Sequence, residues 1–320
     1  MRRGATCDAR WDDSIGSVSD GDHFGLTPLA GGFSGETFLG GAPGERTVVR
    51  VYGGRGATRG PEAPVVDAAV LGLVRGLLPV PVVLEAHRAR PSTDTPGLLV
   101  TSFLPGERLD LLLPGLDNDR RAILGDRLGV LLGRLAGMPL PRRGLFVDAE
   151  LRVEPLPAGD LVGFVEAHRS GTAIASWPPE LYDGLLDVAE RAQDLLDRIS
   201  RTCLVHGDLN PRNLLVDRES LEVTGLVDWE FAHAGWPGAD LGNLLRFERD
   251  DPFAGKVLDA YRDRVPDAPA GVLDQARAAD LVALVDLAGR RGENPVTDRA
   301  HDLLQAVART GDLHGGLEGL

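Results

Sequence analysis

The amino-acid sequence predicts an α+β chain of two lobes, a small β-rich lobe followed by a larger helical one. Three observations predict it. Between residues 26 and 103, short β-branched runs recur between turn signals, with one helical stripe among them. The cluster Leu104-Pro105-Gly106-Glu107 then breaks the pattern. Beyond it, apolar residues recur at helical spacing as far as residue 309, interrupted by a compact strand-turn-strand segment at 203–230. The length of 320 residues accommodates both lobes. Their bounds read as a leader at 1–22, a small lobe at 23–104 and a helical lobe at 105–320.

The leader is rich in Asp, Ser, Gly and Arg without any period, which predicts a disordered or loosely docked segment. Strands follow at 26–30 and 36–39, joined by the glycine-rich loop 31–35 with Ser34 and Gly35. A Gly/Pro turn at 40–44 leads to a strand at 47–52, whose alternation sets Arg50 among apolar neighbours. Residues 66, 69, 70, 73, 74 and 77 form the stripe of a helix over 65–77, with Asp67 near its start. Strands at 80–84 and 97–103, separated by a polar loop, complete a five-stranded lobe. In the helical lobe, stripes at 120–136, 159–168 and 181–199 precede the 203–230 segment. Those at 240–247, 252–264, 271–290 and 297–309 follow it, and 311–320 reads as a frayed tail.

The segment 203–230 carries the chemistry. Residues 203–205 form a short apolar run that delivers His206-Gly207-Asp208 into a turn. Pro211 fixes its own φ and holds Asn210 out of the helical region, so Asp208 and Asn213 keep one relative pose. Residues 214–216 and 221–227 read as a hairpin with Asn213 at its entrance and Asp228 at its exit. Phosphoryl transfer requires a carboxylate to orient and deprotonate a hydroxyl, and hard oxygen ligands for magnesium. These side chains supply both.

With His206-Gly207-Asp208, four residues, Asn213, and then Val227-Asp228-Trp229, the segment resembles the aminoglycoside phosphotransferase family, whose pattern is H-G-D-x-x-x-x-N followed by a V/I-D-W/F segment. The resemblance implies a protein-kinase-like fold and an ATP-dependent (or GTP-dependent) O-phosphotransferase that uses Mg2+. It implies that Asp208 is the catalytic carboxylate, that Asn213 and Asp228 hold the metal, and that His206 and Asp240 brace the loop. Ser34 and Gly35 would cover the phosphates, and Ser102, Phe103 and Leu104 would hold the adenine ring. Arg50 stands where the family usually has Lys, and Asp67 is its expected partner. Since Lys256 is the sole Lys among 34 basic residues, that departure follows the composition of the whole chain.

Composition narrows the partners. A formal charge of −14 argues against nucleic acid or an anionic membrane surface and favours a cationic small molecule. Glu230 and Glu248, with Asp250 and Asp251, are candidate acceptor ligands, which points to an aminoglycoside or a cationic peptide antibiotic. Macrolides, choline-like molecules and amino alcohols are the alternative acceptors, and a nucleotide-binding module without transfer activity is the alternative function. Cys7 and Cys203 have no metal or redox spacing. With no apolar signal-like run near residue 1, a cytoplasmic location is expected.

Overall fold

The computed structural model describes residues 26–29, 36–41, 46–53, 59–155, 159–249 and 252–316. Its first layer is an antiparallel sheet of β1 (Thr27–Pro28), β2 (Glu36–Gly40), β3 (Thr47–Tyr52), β4 (Val83–His87) and β5 (Gly97–Ser102) in the order β1-β2-β3-β5-β4. In β3, Arg50 lies opposite Thr37 on one side and Leu99 on the other. Alternation puts Arg50 and Tyr52 on one face, and helix α1 (Ala63–Val74) covers it, burying Val66, Val70 and Val74. The helix stops three residues earlier than its apolar stripe, with Gly76 at a φ of 81° just behind it. The fourth strand begins later than the stripe at 80–84 predicts, because Pro79 and Pro81 remove N–H groups that a ladder needs.

After the turn at 103–106 the chain makes β6 (Glu107–Arg108), the short α2 (Leu109–Leu112) and the long α3 (Asn118–Ala136), which Asp117 caps by accepting the Arg120 N–H at 2.9 Å. Next come β7 (Gly144–Phe146), β8 (Val153–Glu154), α4 (Leu161–Ala167) and α5 (Pro179–Asp197). Then follow β9 (Cys203–Val205), β10 (Leu214–Val216), β11 (Val223–Leu226) and β12 (His233–Gly235). The chain closes with α6 (Ala239–Leu244), α7 (Phe253–Arg264), α8 (Val272–Gly289) and α9 (Pro295–Thr310). This is the two-lobe kinase-like α+β architecture, and the predicted helices appear within a few residues of their stripes. Strand β12, which no periodicity announces, pairs with β9 and closes a sheet of order β8-β7-β12-β9. The β10–β11 hairpin pairs instead with β6, so the two halves of the 203–230 segment belong to different sheets.

One apolar core runs from α1 in the small lobe through α2, α3 and the hairpin to α7. A second joins α4, α5, α8 and α9. Helices α3 and α7 approach closely because Gly125, Gly129 and Gly133 recur every fourth residue along the contact; a Cβ at Gly125 would lie 2.5 Å from the Phe253 carbonyl oxygen. Among the described residues no helix is long and apolar enough to cross a membrane.

That close approach has a measurable sign. Ala at an exposed helical Gly gains up to about 1 kcal/mol of propensity, so Gly72→Ala, which meets nothing within 4 Å, should raise stability in denaturant unfolding. Gly125→Ala should lower it, because overpacking of roughly 1–3 kcal/mol against a backbone carbonyl exceeds the same gain. Equal stabilisation by the two would refute the close contact.

Candidate active site

The turn after β9 is built around a buried carboxylate. Asp240, in the first turn of α6, accepts the His206 N–H at 2.8 Å and the Gly207 N–H at 3.0 Å. Burial pushes its pKa up to about 7, against the pull of those two bonds. His206 is fully buried, and desolvation lowers its pKa to about 4, so it is neutral. Its ring is satisfied on both sides: Nε2–H donates to the Val227 carbonyl at 3.0 Å, while Nδ1 accepts the Asp208 N–H at 3.2 Å. Gly207 has a φ of 83°, and a Cβ there would collide with the Phe231 carbonyl, which explains why no side chain stands between His206 and Asp208.

Both oxygens of Asp208 are oriented by amides. Asn210 Nδ2 donates to Oδ1 at 2.8 Å and Asn213 Nδ2 to Oδ2 at 2.9 Å, and the latter also reaches the Asp208 carbonyl at 2.8 Å. Burial raises the Asp208 pKa to about 6; the Asn210 bond, Arg246 and the Asn213 bond oppose the rise, and the charge of Asp228 adds to it. Asn210 is a residue that sequence reasoning passed over as chemistry. Its spacing of two from Asp208 is the signal that marks it, since short Asn side chains reach that far along a turn. Asp228 has a φ of 66°, a left-handed conformation that Asp tolerates and that ends the β11 segment abruptly.

Arg50 reaches across from the small lobe to this group. Its Nη1 is 2.8 Å from Asp228 Oδ1 and its Nη2 is 2.6 Å from Glu230 Oε2. Burial works against its charge, but the two carboxylates outweigh that effect and raise its pKa. The expected pairing of Arg50 with Asp67 is therefore not the one formed. Asp67, buried on α1, is held by Arg59 at 2.7 and 2.8 Å and by the Tyr52 hydroxyl at 2.6 Å. The physical reason is reach. Arg59 enters just ahead of α1 and forms a bidentate pair, and Tyr52 shares the Arg50 face of β3, so Asp67 is satisfied from nearby.

Glu230 is buried, with its carboxylate on Arg50, and Glu248 is half-buried in the segment after α6. Ser34, Gly35, Asp250 and Asp251 lie outside the described residues. At the edge of the small lobe Ser102 is engaged with Val82 through both its backbone N–H and its Oγ, and Phe103 N–H donates to the Arg46 carbonyl at 3.2 Å. The Leu104 N–H has no partner among the described residues.

The oxygens around Asp208 fit a hard divalent cation. Asn213 Oδ1 and Asp228 Oδ2 take no hydrogen bond among the described residues, and both are oxygen donors of the kind magnesium prefers. The described residues contain no cluster of three or more His, Cys, Asp or Glu that could hold a metal. Magnesium would then take its remaining ligands from phosphates and water, as it commonly does.

The position of Asp208 yields a pH dependence. To accept a proton Asp208 must be ionised, so kcat/KM should fall below about pH 6 on its acid limb. The Asn210 bond favours the charged form, hence Asn210→Ala should move that limb to higher pH. An acid limb at an ordinary carboxylate value, unmoved by Asn210→Ala, would show that another group controls it.

Comparison with known proteins identifies the family and the fold. The model of the phosphotransferase enzyme family matches residues 25–272. Among solved structures, the GDP complex of wild-type aminoglycoside 2'-phosphotransferase-IIIa superposes with a TM-score of 0.67 at 16% identity, covering 90% of this chain and 93% of that one. A thermostable mutant of aminoglycoside phosphotransferase APH(4)-Ia, in a ternary complex with AMP-PNP and hygromycin B, gives 0.62 at 18% identity, covering 93% and 96%. At such identities the likeness shows the fold. Mouse acyl-CoA dehydrogenase family member 10 is 27% identical over 189 residues, which is 58% of this chain and 17% of that protein, so the chain matches a small part of its length. Because the family match extends over most of the sequence, this chain belongs to the phosphotransferase enzyme family.

Proposed function

We propose that this small-molecule phosphotransferase transfers the γ-phosphoryl group of ATP, or of GTP, to a hydroxyl of its acceptor. The observation that carries the reading is Asp208, held by the amides of Asn210 and Asn213, close to Asp228, with its pKa raised to about 6 by burial. In the transfer the bond from the γ-phosphorus to the β-bridging oxygen breaks and the nucleoside diphosphate leaves with the electron pair. The acceptor oxygen bonds to phosphorus, and its proton passes to Asp208 Oδ. Magnesium, when bound at Asn213 and Asp228, neutralises charge on the phosphate oxygens. Asn210 and Asn213 keep the carboxylate aimed at the hydroxyl, and Arg50 holds phosphate oxygens from the small-lobe side. The Leu104 N–H is suited to donate a hydrogen bond to a ring nitrogen of adenine, and Ser34 and Gly35 are proposed to cover the phosphates.

The charge of the acceptor is a separate matter. A cationic antibiotic is the acceptor that the net charge favours, but Glu230, one of the acids expected to receive it, is bound by Arg50. Hygromycin B is bound by the APH(4)-Ia protein and is an obvious first compound to assay here. A nucleotide-binding module without transfer activity has one observation in its favour, the hold of Arg50 on Asp228.

The experiment is ADP release over a broad panel of hydroxylated compounds, with mass analysis of the product. Asp208→Asn should lower kcat by roughly a hundredfold to ten-thousandfold while nucleotide still binds, and Asp228→Ala should remove most of the magnesium dependence of that binding. Near wild-type turnover in Asp208→Asn would refute the assignment, and nucleotide binding without ADP release from any compound would favour the inert module.

A further inference from the structure

Arg50 is held by two acids that stand two residues apart, and the two are placed differently. Asp228 ends the β11 segment with its side chain 35% exposed, whereas the Glu230 side chain is only 5% exposed. Both bonds are short, 2.8 Å from Nη1 to Asp228 and 2.6 Å from Nη2 to Glu230. The same guanidinium is thus bound at once by an open carboxylate and by a buried one.

The position of Glu230 follows from the turn that carries it. Trp229–Phe231 is a single turn of 3-10 helix, in which successive side chains point about 120° apart. Trp229 enters the core, where its ring centroid lies 4.6 Å from that of His206 and its Nε1–H donates to the Leu226 carbonyl at 3.0 Å. Phe231 faces solvent. Glu230 is left facing the small lobe, whose helix α1 packs against the turn. Tyr52 in turn separates Arg50 from Asp67: its ring centroid is 5.2 Å from the Arg50 guanidinium carbon, a distance at which the ring face attracts a cation, and its hydroxyl is committed to Asp67.

These placements decide which bond can be exchanged. Water stabilises a carboxylate that is one-third exposed when its cation leaves, and a magnesium ion at Asp228 would replace the charge that Arg50 withdraws. A carboxylate as buried as Glu230 lacks that solvation, and loss of its cation is strongly destabilising. The guanidinium can meet both conditions, because Nη1 and Nη2 are separate donors in a fixed fork, which the ammonium of a Lys does not have.

We propose that Glu230 is the positioning residue for Arg50: on nucleotide binding Arg50 gives up Asp228 to magnesium and turns Nη1 to the phosphates, while Nη2 stays on Glu230. The part that the sequence assigns to Asp67 on α1 falls in this way to an acid of the large lobe, so the phosphate anchor is complete only where the two lobes meet. The assignment rests on the nucleotide-binding part of the reading above and is independent of the acceptor.

Two measurements on the full chain test the proposal. The first is thermal unfolding of the ligand-free protein as a double-mutant cycle. Arg50→Gln leaves the buried Glu230 without its cation and should lower Tm, and Glu230→Gln added to it should recover much of the loss. Asp228→Asn, which tolerates the same left-handed φ, should recover far less when added to Arg50→Gln. An Arg50→Gln protein that folds only together with Glu230→Gln is the same result in its strongest form. Recovery by Asp228→Asn that equals or exceeds recovery by Glu230→Gln overturns the proposal. The second is calorimetric titration of AMP-PNP at a series of magnesium concentrations. Without the charge of Glu230, Arg50 closes on Asp228 alone and releases it less readily. Glu230→Gln should therefore raise the magnesium concentration for half-maximal binding severalfold, and Glu230→Asp should recover part of the shift. A pair that only stabilises the fold moves the first measurement and not the second, so an unchanged magnesium requirement in Glu230→Gln overturns the positioning role. Failure of every compound to release ADP counts against the transfer reading alone, because neither measurement needs turnover. Absence of magnesium-dependent AMP-PNP binding in wild type overturns both.

Discussion

The turn that carries Asp208 depends on one buried carboxylate. Asp240 accepts two successive backbone N–H groups, from His206 and Gly207, at the point where β9 ends and the chain reverses. Backbone donors left unpaired in such a place would cost more than most side-chain contacts return. Their satisfaction fixes the turn, and the turn fixes the rest. His206, neutral and bonded at both nitrogens, ties it to Val227 at the far end of the hairpin, where Asp228 emerges. Both Asp240 oxygens are committed to backbone donors, at 2.8 and 3.0 Å, so its bracing contacts are separate from the amides that orient Asp208.

Across the cleft, Arg50 provides the opposite kind of constraint, a contact that has to be negotiable. Its guanidinium joins two carboxylates of the large lobe, in a setting where a single unpaired charge would be strongly unfavourable. Nucleotide phosphates and a magnesium ion would compete with precisely those partners, the phosphates for Arg50 and the ion for Asp228. The small lobe does not depend on Arg50 for its own integrity, because Arg59 and Tyr52 satisfy Asp67 independently. Division of labour between two arginines thus lets one of them exchange partners without unlocking α1 from the sheet.

How much of this was legible in the sequence follows from the range of each interaction. The geometry of the candidate catalytic turn was legible because it is local: His206, Asp208 and Asn213 are fixed by spacing, by Pro211 and by a glycine whose φ admits no side chain. Helices and most strands were legible from period and breakers. The partner of Arg50 was not, since several acids lie within reach and only tertiary packing selects Asp228 and Glu230 over Asp67. Nor was the stripe Gly125, Gly129, Gly133, which looks like dilution of a leucine face until α7 is laid against it. Strand β12 is three residues long and takes its identity from its partner β9, so no pattern of its own marks it.

Net charge illustrates the same limit in electrostatics. A formal value of −14 averages over a surface on which most acids are solvated and screened, while the interaction that selects a ligand acts over a few ångströms in a desolvated site. Several of the acids counted in it already have partners: Glu230 is on Arg50, Asp280 on Arg246, and Asp274 on His314. Composition therefore describes the medium in which this enzyme meets its substrate, and the short-range contacts of the site, not the summed charge, select among candidates.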